Sequence, residues 1–402
     1  MVHHGLKRLF LTVLTLILLI SICPAWGAAE NSHDAVILFT HDTHDHFYPA
    51  PSEDGGEYGG YTRLATLLAL ERVKYPDAIT VDGGDFSMGT LFQTIYATQA
   101  PELKALGAMG YDVTTLGNHE FDYRASGLAQ MLETAAASGS QVPAIVQSNG
   151  TVLDGEGAEE LRAAMEAYGV QNHMILTRGG INYGIFGLMG EDADACAPMS
   201  GMEFEPVADA ARREVAALEE ELAQLEGPSV IVCLSHTGTD GGKGEDYELA
   251  KAVDGIDVII SGHTHSTLEE PIQVNDTLIV SCGEYTTNLG VLALELDDAG
   301  TVTDYDYRLV PVDETVTANT EMERLAQSFQ PIIEEEYLSQ FGLTFDQVLA
   351  RSEFDFTPIS QFGKEHKEDT LGNLIADSYI YAVQQAEGRT MCRWISPWWQ
   401  RA

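Results

Sequence analysis

Positive charge is scarce in this chain: 21 Lys and Arg stand against 62 Asp and Glu in 402 residues, a formal charge of −41. A surface this acidic repels phosphate backbones and anionic lipid, which excludes a nucleic-acid or membrane-surface binder. Chemistry on an anionic substrate would need a local cluster of positive charge. Cysteine is also sparse, with five residues, and their spacing compels no disulfide or thiolate metal site. Cys233 and Cys282 lie in apolar, strand-like runs and read as core residues, Cys196 reads as a loop residue, and Cys392 falls in an unusual tail. There is no His-Glu-x-x-His string and no Gly-x-Ser-x-Gly turn, so a peptidase or serine-esterase reading has no support. Repeats and low-complexity tracts are absent. The 45% apolar and 8% aromatic content is that of a folded protein.

One long hydrophobic run occurs, Leu9 to Ile22, preceded by Lys7 and Arg8 and followed by small residues at Gly27, Ala28 and Ala29. This is the layout of a secretory signal, expected over residues 1–29. The run is short for a bilayer span, and Ile22 before Cys23 is too large for lipoprotein processing. The mature protein is expected outside the cytoplasm, in the periplasm or cell exterior, without a membrane anchor.

From Ala35 onward, short β-branched runs alternate with amphipathic stretches. Strands are predicted at Ala35–Thr40, Ala78–Val81, Val113–Leu116, Tyr183–Leu188, Val230–Leu234 and Val258–Ile260. Predicted helices include Gly60–Lys74, Ser126–Ala137 and Val207–Leu225; in the last, Val207, Ala211, Val215, Leu218, Leu222 and Leu225 recur at helical spacing. The alternation implies an α/β domain. Consecutive strands follow at Thr277–Ser281, Val291–Leu296 and Thr303–Val310, then a charged helix at Glu321–Ser339.

Five of these strands run into residues of metal-ligand type: Asp42-Thr43-His44, Gly84-Asp85, Gly117-Asn118-His119-Glu120, His236, and Gly262-His263-Thr264-His265. Ligand sites in α/β sheets gather beyond the carboxyl ends of strands, so these groups would converge on one patch. Gly84, Gly117 and Gly262 let the backbone turn sharply there. Singly, Asp42 or Asp85 would serve as a helix N-cap and His236 as a hydrogen-bonded loop histidine. His263 and His265 alternate on a segment read as extended, which would put both on one side. The set in order outweighs the readings of its members.

These strings resemble the signature of calcineurin-like metallophosphoesterases. Gly117-Asn118-His119-Glu120-Phe121-Asp122, Ile260-Ser261-Gly262-His263 and Gly60-Tyr61-Thr62-Arg63-Leu64-Ala65 resemble, more narrowly, the secreted 5′-nucleotidase and UDP-sugar hydrolase family over about residues 35–390. The resemblance implies a four-layer α-β-β-α sandwich, a linker helix and a second domain. It implies two divalent metal ions (Mn, Zn, Co or Fe) bridged by Asp85, with Asp42, His44 and His265 completing one site and Asn118, His236 and His263 the other. Such a pair supplies the positive charge that the composition denies. His119 would contact the scissile phosphate, Asp122 would orient its ring, and Glu120 would at least hold the loop. The implied substrate is a small-molecule nucleotide or other phosphoester. A cyclic-nucleotide or nucleotide-sugar diesterase uses the same metal pair, and a non-catalytic metal-binding protein on this scaffold would need neither His119 nor Asp122. Two positions depart from the family pattern, His41 in place of Asn and Asp45 in place of Gly. His46 reads as a solvated loop histidine.

The expected organisation is a signal at 1–29, a catalytic domain at 30–315, a linker helix at 316–341 and an incomplete second domain at 342–402. The opening of that last domain is recognisable in Glu368-Asp369-Thr370-Leu371-Gly372-Asn373-Leu374-Ile375-Ala376-Asp377. About 60 residues cannot bury an adequate core alone. Met391 to Arg401 carries three of the four tryptophans and is foreign to the family. A frameshift or premature stop is expected there rather than a true short form.

Overall fold

The computed structural model describes residues 34–52, 55–297, 300–358, 361 and 368–387. The expected signal and the tryptophan-rich ending lie outside them. Two six-stranded sheets carry the first unit, which closes at Phe345.

In the first sheet, β1 (Ala35–Thr40), β2 (Ile79–Asp82), β3 (Val113–Thr115) and β4 (Ala144–Val146) run parallel in that order. In the second, β5 (His173–Arg178) pairs antiparallel with β6 (Ile181–Met189). Parallel to β6 follow β7 (Ser229–His236), β8 (Val258–Ser261) and, beyond β9 (Ile272–Val274) in sequence, β10 (Thr277–Val280). The chain then returns to the first sheet: β11 (Asn288–Leu296) pairs antiparallel with β1, and β12 (Val302–Pro311) with β11.

Period-2 alternation sorts each strand between two cores. Ala35, Ile37 and Phe39 of β1, with Ile79, Val81 and Val113, face Tyr183, Ile185, Val230, Val232, Leu234, Val258 and Ile260 across the space between the sheets. The opposite face of β1, Val36 and Leu38, packs with Leu64 and Leu68 of α1 (Tyr61–Lys74), Leu103 and Leu106 of α2 (Pro101–Met109), and Leu128 and Leu132 of α3 (Arg124–Ala137). Ile231, Cys233 and Ile259 face outward from the second sheet onto α4 (Val207–Leu222) and α5 (Glu245–Ala252). The result is the expected four-layer α-β-β-α sandwich. Cys233 and Cys282 are buried as expected. Cys196 instead closes a short helix, Glu191–Cys196, because three acids in its first turn favour helix at that end.

The helical period in α4 overreaches by one turn. Ala211, Val215, Leu218 and Leu222 are buried, but the helix stops at Leu222 and Leu225 is 43% exposed. After β12, α6 (Thr320–Glu336) starts at Asn319, whose side chain accepts from the N–H groups of Glu321 and Met322. Met322, Ala326, Phe329 and Ile333 of this expected linker helix pack into the core outside the first sheet. The described residues from Asp346 belong to a second unit, which contains α7 (Thr370–Glu387). Among the described residues no helix is long and apolar enough to cross a membrane.

Candidate metal centre

The five polar strand ends come from both sheets. Asp42 and His44 follow β1, Asp85 follows β2, and Asn118 and His119 follow β3; His236 ends β7, and His263 and His265 follow β8. Four overlapping groups each bring their ligand atoms within 4.8 Å: Asp42, His44 and His265; His44, Asp85 and His119; Asp85, His236 and His263; and, at the exposed rim, Asp192, Cys196 and His263.

Backbone strain is concentrated here. Asp42, His44, Asp85, His263 and His265 all have positive φ, between 46° and 70°. Non-glycine residues avoid that region unless the surrounding structure enforces it, and functional sites are where such strain collects. The segment at His263 and His265 is therefore a tight left-handed turn, not the extended run that their spacing suggests. Its two rings diverge: His263 Nδ1 lies 3.0 Å from Asn118 Oδ1, and His265 Nε2 lies 3.4 Å from Asp42 Oδ1. Gly84 takes a left-handed φ of 88°. Gly117 serves differently, because a Cβ there would sit 2.3 Å from Asp85 Oδ1 and 2.7 Å from the His236 ring.

The donor pattern points the metal-type atoms inward. His44 Nδ1 donates to the carbonyls of Ser87 and Met88 at 3.1 and 3.2 Å, which leaves its Nε2 lone pair 3.1 Å from His265 Nε2. His236 Nδ1 donates to the Gly83 carbonyl at 2.9 Å, and its Nε2 lies 3.0 Å from Asp85 Oδ2. Carbonyl-held imidazoles of this kind are how proteins fix a metal-binding tautomer. Asp85 Oδ2 is also 4.0 Å from His44 Nε2, so it stands between the two groups, while Asp85 Oδ1 accepts the His119 N–H at 2.8 Å. Neither Asp42 nor Asp85 caps the start of a described α-helix. Four imidazoles, two buried carboxylates and an amide oxygen form a donor set that fits divalent cations of the Mn, Zn, Co or Fe kind.

Burial works against ionisation of Asp42, yet hydrogen bonds from His265 and His41 outweigh it and hold the carboxyl well below its usual range. Burial likewise opposes the charge on Asp85, and His236 overrides it. Against its own burial, the Asp85 carboxylate raises His236 to about 10. His119 is more exposed. Its Nδ1 lies 2.9 Å from Asp122 Oδ2, and that hydrogen bond raises the imidazole to about 9.

Glu120 is a loop holder. Its fully buried carboxylate accepts from the N–H groups of Asp85, Ser87 and Gly117 and from the Ser87 hydroxyl, tying the β2 and β3 loops together. His46 is half-buried rather than solvated, with Nδ1 donating to the His44 carbonyl at 2.8 Å and its ring stacked 4.6 Å from Tyr285. Two further neighbours carried no motif in the sequence. Asp192 accepts from His263 Nε2 at 2.9 Å, and Tyr285 closes over His44 and His265 with ring centroids 5.4 Å from each. Nothing in the local pattern of either residue marks it, because each reaches the cluster from a distant segment.

Layers, strand ends and donor set define a class, an α-β-β-α protein with a polar cluster where its two sheets meet. Residues 35–267 match the family described as calcineurin-like phosphoesterase, more than half of the chain, and the chain belongs to that family. It is 28% identical over 383 residues to the trifunctional nucleotide phosphoesterase YfkN of Bacillus subtilis, covering 88% of this chain and 24% of that protein. It is 26% identical over 313 residues to a probable 5′-nucleotidase of Treponema pallidum, covering 70% of this chain and 48% of that one. The chain thus spans half or less of the length of either relative. The structure of a 5′-nucleotidase precursor from Thermus thermophilus shares the fold, with a TM-score of 0.68 at 22% identity over 88% of this chain and 67% of that one.

Proposed function

We propose that the protein is a secreted, metal-dependent phosphoesterase that hydrolyses phosphate esters of nucleotides. The observation that carries the reading is the placement of the His119–Asp122 pair beside the metal-type cluster, with the His119 ring 5.1 Å from that of His44. A protein that only bound metal would need no such pair. The relatives named as nucleotide phosphoesterase and 5′-nucleotidase support the substrate class. The proposed organisation is a signal over 1–29, a catalytic domain over 30–315, a linker helix over 316–341 and the start of a substrate-specificity domain over 342–402.

Asp42, His44, Asp85 and His265 would hold one divalent ion, and Asp85, Asn118, His236 and His263 a second. Ions held there would supply positive charge to the phosphoryl oxygens and would lower the pKa of a bound water. The chain's own residues do the rest. His119, with Nδ1 committed to Asp122, keeps Nε2 for the phosphoryl group or the departing oxygen. It is protonated at neutral pH, so it donates a hydrogen bond to charge that grows in the transition state. Glu120 keeps the loops of Asp85 and Asn118 in register, which fixes the distance between the two ligand sets. The Asp192 carboxylate and the Gly83 carbonyl hold His263 and His236 from behind.

The test is phosphate release from AMP and from nitrophenyl phosphate with added Mn²⁺, with His119→Ala as control. Release from both, reduced at least a hundredfold in the variant, is expected. No metal-dependent release from a folded sample would leave a non-catalytic scaffold as the reading. Preferential turnover of a diester such as bis-nitrophenyl phosphate would reassign the protein as a phosphodiesterase.

A further inference from the structure

We infer that His41 is a positioning residue that sets the orientation of the Asp42 carboxylate. The inference rests on the metal-site reading above. His41 is 1% exposed and lies between the end of β1 and Asp42. Its Nε2 is 2.7 Å from the backbone nitrogen of Cys282 and 3.0 Å from Ser281 Oγ. A backbone N–H can only donate, so His41 Nε2 accepts and carries no proton. The ring therefore holds its proton on Nδ1, which donates to Asp42 Oδ2 at 2.6 Å. Burial opposes a second proton while Cys282 and Asp42 pull the pKa well above the usual histidine range, but a proton on Nε2 would face the Cys282 N–H head-on.

That bond decides which face of Asp42 is free. Oδ2 accepts from His41 Nδ1 and shares the His263 N–H with Oδ1, at 3.0 and 3.2 Å, while Oδ1 alone faces His265 Nε2 at 3.4 Å and His44 Nε2 at 3.9 Å. One oxygen is tied down and the other is turned toward the two imidazoles that would share its cation. The anchor of the anchor is Cys282 N–H, which follows β10 in the second sheet. His41 thus couples a ligand on the first sheet to the frame of the second. Outer partners of this kind are worth about 10–100-fold in metal affinity when removed.

Two polar replacements separate this role from simple packing. In His41→Asn the amide nitrogen falls near the position of Nδ1 and can still donate to Asp42. In His41→Gln the longer amide reaches the Cys282 end and leaves Asp42 without its donor. Mn²⁺ titration of the purified chain, followed by the electron paramagnetic resonance of free Mn²⁺, is expected to show His41→Gln weakened by about tenfold or more. His41→Asn should stay within about threefold of the unmodified protein. Equal affinities in all three proteins, or equal losses in both variants, would overturn the role. An unmodified protein that binds no Mn²⁺ would overturn the metal-site reading itself. Nitrogen-15 imidazole spectra of the unmodified protein give a check that needs no variant: an Nε2–H tautomer at His41 would also overturn the assignment.

Discussion

Asp122 determines the charge carried by His119. Its hydrogen bond is the largest contributor to a pKa raised to about 9, so the ring is protonated through neutral pH. Catalysis that needs this proton is lost as pH rises through that value. Asp122→Asn keeps the shape but removes the charge, and the ring should relax toward its ordinary value near 6.5. The alkaline limb of the kcat/KM profile then moves to lower pH, and activity at pH 8 falls by up to about 30-fold, the ratio of protonated fractions for pKa 9 and 6.5, less to the extent that Asp85 and Glu120 still hold the ring up. An unmoved alkaline limb would show that His119 is not the group titrating. At this scale the residue types were legible in the sequence, since Asp42, His44, Asp85, Asn118, His119, Asp122, His236, His263 and His265 all stand in recognisable strings. Their orientations were not. The left-handed turn at His263 and His265 arises because backbone conformation there answers to the contacts of Asp42 and Asn118, both more than a hundred residues away.

At the level of elements, hydrophobic period reports burial only while the element lasts. The predicted helix Val207–Leu225 includes six apolar residues at the right spacing, yet the helix ends at Leu222 and leaves Leu225 outside the core. Leu218→Ala should therefore cost about 2–5 kcal/mol, because a fully buried side chain leaves a cavity between α4 and the second sheet. Leu225→Ala should stay within about 0.5 kcal/mol. Urea unfolding of the two variants checks the contrast, and equal losses would mean that the helix runs on past Leu222. The strands β4, β5 and β9 escaped the sequence reading for a related reason. β4 and β9 are three residues long, and β5 has no fully buried residue, so none offers a clean alternation.

For the whole molecule, charge sets how stability varies with pH. Burial raises Asp82, Asp246 and Asp257 to about 6, so the folded chain keeps protons that the unfolded chain has released above about pH 4. Their stabilisation is full below about pH 4 and is lost as pH rises through 6. His236, raised to about 10, acts in the same direction from about pH 6.5 upward. Asp42 and Asp85 are lowered, so their contribution is present above about pH 4 and is lost only on stronger acidification. Self-repulsion from a charge of −41 adds to the alkaline loss. The metal-free protein should accordingly melt at higher temperature at pH 5 than at pH 8, and added salt should narrow the gap. Calorimetry with EDTA present measures it, and a higher melting temperature at pH 8 would contradict these assignments.

The sequence by itself determined the alternation of strands and helices, the family, and the nine side chains of the proposed site. These depend on local period and on short strings, which each segment holds complete. Tertiary structure decided which strand ends meet. The β1, β2 and β3 loops belong to one sheet and the β7 and β8 ends to the other, and only packing across Phe39, Val81, Leu234 and Ile260 brings them within bonding distance. It also decided which donors Glu120 ties together, that Gly117 is required for close approach rather than for a turn, and that His41 carries its proton on Nδ1. A backbone N–H from Cys282 fixes that last proton, and no reading of residues 41 and 42 alone could place it.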